Sequence, residues 1–284
     1  MTDAIQSGRE VTAAYRLDGV AFSYGPRRKS MEAGTDGWAL HGLSCEVREG
    51  EILGIIGPNG SGKSTLLKLL GLILQPHRGT IQLQGRVLAS FAREELARIV
   101  AYVPQFSSVV FPFTLAELVL MGRFPHRRAG GALGGVGWET AEDVRAAEQA
   151  MDAMEILHLA DRAVSEVSGG ERQRAFIARA LAQEPRILLL DEPTVFLDLR
   201  HQLDICAMMR RLNREQGLTV VWVSHDLNLA GQYCDRLLLL QEGALVRLDA
   251  PSAVLQPEVI ESVYRCPVLV DRHPASGAPR VTLP

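Results

Sequence analysis

Glu51-Ile52-Leu53-Gly54-Ile55-Ile56-Gly57-Pro58-Asn59-Gly60-Ser61-Gly62-Lys63-Ser64-Thr65-Leu66-Leu67 runs from a short apolar segment through a glycine-rich turn into a leucine-rich segment of helical period. A short apolar run bounded by turn residues suits a strand buried on both faces. Residues 64–74 follow as a helix. Strand, loop and helix in that order open an α/β nucleotide-binding unit.

The turn matches G-x-x-x-x-G-K-[ST] in full, from Gly57 to Ser64. Its glycines let successive backbone N–H groups face phosphate oxygens with no Cβ in the way. The helix behind them aims its positive end at the same charge. Lys63 supplies a cation to the terminal phosphates, and Ser64 offers a hydroxyl to Mg²⁺. Gly57, Pro58, Asn59, Gly60, Ser61, Gly62, Lys63, Ser64 and Thr65 are therefore the expected nucleotide contacts. The pattern serves kinases, GTPases and ATPases alike.

Further along, residues 187–190 and 219–223 are continuous β-branched or leucine runs, as in buried parallel strands. Asp191 and Glu192 stand directly after the first run. Ligands bind at the carboxyl ends of strands in such sheets. Asp191 is thus a candidate Mg²⁺ holder, and Glu192 a general base for an attacking water. A strand-end acidic pair that only caps a helix is the plainer alternative.

Residues 11–22 and 43–47 have strand patterning, with a turn at 48–50 and a surface loop over 26–37. Residues 237–241 and 244–248 flank Glu242-Gly243 as a hairpin. Between about 106 and 167 the period turns helical, at 115–121 and 141–157, around a glycine-rich tip at 129–137. This predicts a helical lobe inserted into the core. A helix over 171–182 stops before Pro185, and the last fifteen or so residues are expected to trail over the surface. One domain over 11–256, with the lobe inserted and a short extension at 257–284, is the expected organisation.

Val167-Ser168-Gly169-Gly170-Glu171-Arg172-Gln173-Arg174 is a second serine–glycine turn before a helix, which repeats the anion-site logic. It resembles the signature of ATP-binding cassette (ABC) ATPases, which kinases and GTPases lack. The resemblance implies a P-loop ABC cassette with a RecA-like core, an antiparallel β subdomain and an inserted helical subdomain. It also implies a head-to-tail homodimer in which each ATP lies between one chain's phosphate loop and the other's Ser168, Gly169 and Gly170.

Other positions follow from the resemblance. Tyr24 is similar to the aromatic that stacks on adenine, though alone it would be an ordinary strand aromatic. Gln105 is similar to the glutamine that touches Mg²⁺ or the attacking water and links core to lobe. His225 resembles the γ-phosphate histidine, and alone would be a hydrogen-bonded strand-end residue. Asp198 resembles the aspartate that communicates across the dimer. Val195 and Phe196 depart from the family pattern just before it.

The segment from Thr114 to His126 resembles the corresponding part of ATPases from importers of iron–siderophore chelates, haem and cobalamin. So does His225-Asp226-Leu227-Asn228-Leu229-Ala230. The resemblance implies uptake energised by ATP, with permease subunits docked on the lobe and an external substrate-binding protein acting through them. A basic-ended amphipathic helix packed on its own lobe is the alternative for 114–126. A soluble ABC ATPase without a transport role, or a transport ATPase for another substrate, is the alternative for the chain.

Composition suits a soluble protein, so any membrane role is expected to come through a partner. Among 284 residues, 47% are hydrophobic and 22% charged, enough for a core and a wetted surface. A net charge of −3 gives no electrostatic reason to expect nucleic acid as partner. Cys45, Cys206, Cys234 and Cys266 are scattered without a C-x-x-C pair, so free thiols are expected. Residues 1–10 lack the apolar run of a signal peptide. No stretch reaches the roughly 18 apolar residues of a membrane span. The expected place is the cytoplasmic face of the inner membrane, reached through the permease.

Overall fold

The computed structural model describes residues 12–25, 37–105, 111–126 and 139–284. The loop expected over 26–37, except Gly37, and the glycine-rich tip at 129–137 lie outside the described residues.

The apolar runs become Ile52–Ile56 (β3), Ile187–Asp191 (β7) and Thr219–Val223 (β8). Val100–Val103 (β6) and Arg236–Gln241 (β9) join them in parallel, and Ala244–Asp249 (β10) returns antiparallel to β9. The six-stranded order is β10-β9-β3-β8-β7-β6. Because strand side chains alternate faces, each run feeds two cores. Leu188, Leu190, Val220 and Trp222 enter one, and Ile187, Leu189, Val221 and Val223 the other. That double burial is why these strands read as unbroken apolar segments.

Ala13–Phe22 (β1), Leu40–Arg48 (β2), Arg78–Leu83 (β4) and Arg86–Val87 (β5) form a second, antiparallel sheet in the order β2-β1-β4-β5. Its inner side chains, among them Tyr15, Leu17, Leu43 and Leu83, share a core with Lys63–Leu70 (α1). Tyr15 donates its hydroxyl proton to Leu70 O at 3.0 Å and so ties this sheet to the end of α1. Helix α1 stops four residues short of the expected end, at the Gly71 cap.

Arg93–Ala97 (α2) precedes β6. Leu115–Leu120 (α3), Ala141–Ala153 (α4) and Gly169–Leu181 (α5) lie between the neighbouring strands β6 and β7 and pack on one another. All three begin with reciprocal capping boxes, Thr114 with Glu117, Thr140 with Asp143, and Ser168 with Glu171. Capped by Ser168, α5 thus starts at Gly169, two residues before the expected 171. Helix α4 ends before the expected 157, where Glu155 takes φ 56° and turns the chain so that Ile156 is buried.

Leu199–Gln216 (α6), Leu227–Tyr233 (α7), Pro251–Val254 (α8) and Pro257–Tyr264 (α9) complete the α-helices among the described residues. Ile260 and Val263 of α9 are buried in the larger core. The chain's last residues lie at the surface as expected, but as a paired hairpin. Leu269–Arg272 (β11) pairs with Pro279–Thr282 (β12), and Val270 and Val281 pack against the larger core. Asn228 of α7 holds Val281 through two hydrogen bonds, 3.0 Å to its carbonyl and 2.7 Å from its N–H. Strands this short carry too little periodicity to be seen in sequence, and their partner α7 is remote along the chain.

Candidate functional site

Parallel strands with adjacent carboxyl ends bring the chemistry together. β3 delivers the phosphate loop, β8 His225, β7 the acidic pair and β6 Gln105. At Gly57 the backbone has φ 147°, and a Cβ there would stand 2.2 Å from Leu240 O. Only glycine allows that approach. Lys63, 5% exposed, points back into the loop and donates to Gly57 O at 2.8 Å and Pro58 O at 2.9 Å. Burial lowers its pKa, while Glu192 and Asp191 act against that. Ser61 Oγ is buried with no hydrogen-bond partner, an unmet polar group inside the loop.

Ser64 donates to Asp191 Oδ1 at 2.8 Å, and Tyr102 donates to Asp191 Oδ2 at 3.2 Å. Glu192 is 8% exposed and sits in the left-handed region at φ 52°. Such a conformation costs a non-glycine residue about 1–2 kcal/mol and is characteristic of functional turns. Both of its carboxylate oxygens are engaged. Gln105 Nε2 donates to Oε2 at 2.6 Å, and His225 Nε2 meets Oε1. Lys63, Ser64, Gln105, Asp191, Glu192 and His225 thus form one cluster.

Tyr24, Ser168 and Asp198 make their contacts outside that cluster. Tyr24, 64% exposed, stands edge-on to Phe22 at 5.0 Å, and its hydroxyl is 3.2 Å from Thr65 Oγ1. Ser168 accepts from the Glu171 N–H at 3.3 Å and donates its own N–H to Glu171 Oε2 at 2.8 Å. Those bonds hold the Glu171 carboxyl below its usual pKa. Asp198 caps α6, accepting from the His201 N–H at 2.9 Å. Phe196 takes φ 61° and is 86% exposed.

Two contributors escaped the sequence. Tyr102 lies in the strand that leads to Gln105, and only the β6–β7 pairing sets it on Asp191. His201 had one local signal, its position three residues past a helix-capping Asp.

The segment from Thr114 to His126 is largely turned inward. Leu115, Leu118 and Val119 are core residues, and Gly122 abuts Arg179 O. Arg123, 3% exposed, donates to Asp143 Oδ1 at 3.0 Å, Ala182 O at 2.8 Å and Glu184 Oε2 at 2.6 Å. The basic residue at this end is therefore an internal clamp. Glu117 and Phe124 remain outward.

The family profile for ABC transporters matches residues 40–195, and so spans the phosphate loop, the signature turn and the acidic pair. The chain belongs to the ABC transporter family. This cassette is 45% identical over 251 residues to the hemin import ATP-binding protein HmuV of Gloeobacter violaceus, covering 86% of this chain and 88% of that protein. It is 42% identical to the ferric enterobactin transport ATP-binding protein FepC of Escherichia coli, over 84% of this chain and 86% of FepC. Among solved structures, a chain of an inward-facing transporter described as of metal-chelate type matches with a TM-score of 0.78 and 28% identity, over 95% of the cassette and 97% of that chain. The dimeric cassette MJ0796 bound to ADP and Pi matches with a TM-score of 0.68 and 30% identity, over 84% and 98%. Its relatives are named as ATP-binding proteins of import and transport systems, and the MJ0796 cassette is described as dimeric. Among the described residues, no helix is long and apolar enough to cross a membrane.

Proposed function

We propose that this cassette hydrolyses ATP with Glu192 as general base, energising import of an iron–siderophore, haem or cobalamin-type substrate through a separate permease. The observation that carries the chemistry is Glu192 held by Gln105 and His225 beside the Ser64–Asp191 pair. The substrate class rests on relatives named for hemin, ferric enterobactin and cobalamin. Residues 11–256 act as the cassette and 257–284 as its extension.

Gly57 to Thr65 wrap the phosphates, with Lys63 leaving its two carbonyls for phosphate oxygens. Tyr24, whose exposed ring adjoins Thr65, stacks on adenine. Gln105 and His225 orient Glu192 and the attacking water, and His225 contacts the γ-phosphate. Ser168, Gly169 and Gly170 serve the nucleotide of the facing chain, and Asp198 lies at the dimer seam.

The Ser64 hydroxyl, the Asp191 carboxylate and the Gln105 amide are hard oxygen donors that suit Mg²⁺. Among the described residues no three His, Cys, Asp or Glu side chains gather to hold a metal. That fits an ion carried in largely by nucleotide phosphates and water. Bound there, Mg²⁺ would neutralise phosphate charge.

The remaining partners are a substrate-binding protein acting through the permease, and the site of work is the cytoplasmic face of the inner membrane. Replacing Glu192 with Gln tests the catalytic role. Turnover should fall by roughly 10²–10⁴-fold, the loss expected for a positioned base, with ATP binding retained. Hydrolysis near the wild-type rate would assign the base elsewhere.

A further inference from the structure

The turn from Glu192 to Asp198 is strapped to α6. The Val195 N–H donates to Glu192 O at 3.2 Å. Gln202 Nε2 donates to Thr194 O at 3.3 Å and to Leu197 O at 3.0 Å. At its end, Asp198 Oδ1 accepts from both the His201 N–H, at 2.9 Å, and His201 Nδ1, at 2.7 Å. An ionised carboxylate only accepts, so the ring proton sits on Nδ1.

The same ring lies on the first turn of α5. A Cβ added at Gly170 would stand 2.3 Å from His201 Cδ2 and 2.5 Å from Cγ, and one at Gly169 would be 4.0 Å from Leu197 Cδ2. Capping α6 requires only the Asp198 carboxylate and backbone N–H groups. It gives no reason for an imidazole to rest on another helix.

We propose that His201 is a positioning residue that couples the Glu192–Asp198 turn to the start of α5 within one chain. The proposal rests on the functional reading above, in which Glu192 at the head of the turn serves the chain's own nucleotide, Asp198 at its end lies at the dimer seam, and α5 serves the facing chain's nucleotide. A shift of Asp198 at one site is passed by the imidazole to Gly170 at the other. Gly170 therefore has an intrachain requirement, room for the ring, besides any contact with the partner's nucleotide.

ATP-dependent dimer formation by the Glu192→Gln chain, followed by sedimentation against ATP concentration, tests this. Adding His201→Ala should raise the midpoint by roughly tenfold, within the usual range of site-to-site coupling. Nucleotide affinity of separate chains, from fluorescent-ATP titration, should stay within about twofold, well below that coupling range. His201→Asn, whose amide N–H can replace Nδ1–H on Asp198, should recover most of the shift. Gly170→Ala should cost less in the His201→Ala background than beside the native ring, since contacting residues are non-additive.

An unchanged midpoint in His201→Ala, or an equal cost of Gly170→Ala in both backgrounds, overturns the proposal. If His201→Ala does not fold, the Gly170→Ala comparison in the His201→Asn background decides it on the same non-additivity. No ATP-dependent dimer in Glu192→Gln itself would instead sink the functional reading, and the proposal with it.

Discussion

Gly57 shows how little freedom the phosphate loop has. Its φ of 147° and the 2.2 Å from a hypothetical Cβ to Leu240 O mean that even alanine must displace β9 or the loop. Gly57→Ala should abolish ATP binding in a filter or fluorescence assay and lower stability by about 1–3 kcal/mol, the usual cost of forced backbone strain. Normal binding by that variant would mean the loop can relax away from β9. Lys63, Ser64, Asp191 and Glu192 were legible as residues because each sits inside a short contiguous motif. Tyr102 and His201 were not, because each acts through a partner that only strand pairing or helix packing brings near.

The α3–α5 group depends on one buried guanidinium. Arg123 links Asp143 at the start of α4 with the carboxyl end of α5. Removing one partner of a buried ion pair strands the other, so Arg123→Ala should cost about 3 kcal/mol in denaturant unfolding. Burial tends to raise the Asp143 pKa, but hydrogen bonds from Arg123 and Thr140 outweigh it and hold the carboxyl below its usual value. A depressed folded pKa gives stability that is complete above the unfolded value, about 4, and lost as pH falls through the folded one. The melting-temperature advantage of wild type over Asp143→Asn should therefore be full at pH 7 and shrink below about pH 4. An advantage independent of pH would show that the carboxylate charge does not matter there.

For the whole molecule, the carboxyl-terminal hairpin closes the larger core over α7. Deleting residues 269–284 removes both Asn228 hydrogen bonds and the packing of Val270 and Val281. Each lost hydrogen bond contributes about 0.5–1.5 kcal/mol, so the truncated chain should unfold at lower denaturant while keeping ATP binding. Reconstituted with its permease in lipid, the intact chain should hydrolyse ATP faster than alone. Hydrolysis indifferent to the permease would favour the soluble ABC reading.

By itself the sequence determined the α/β core, the antiparallel hairpin of β9 and β10, the phosphate loop, the acidic pair and the signature turn. All are local: a few adjacent residues whose backbone geometry and donor atoms are set by near neighbours along the chain. Tertiary structure decided the rest. It ordered the strands so that four carboxyl ends meet and turned Arg123 inward as a clamp. It also folded the tail onto α7 and laid the His201 ring on Gly170. Those contacts join residues distant in the chain, and the packing that creates them leaves no periodic trace in either partner.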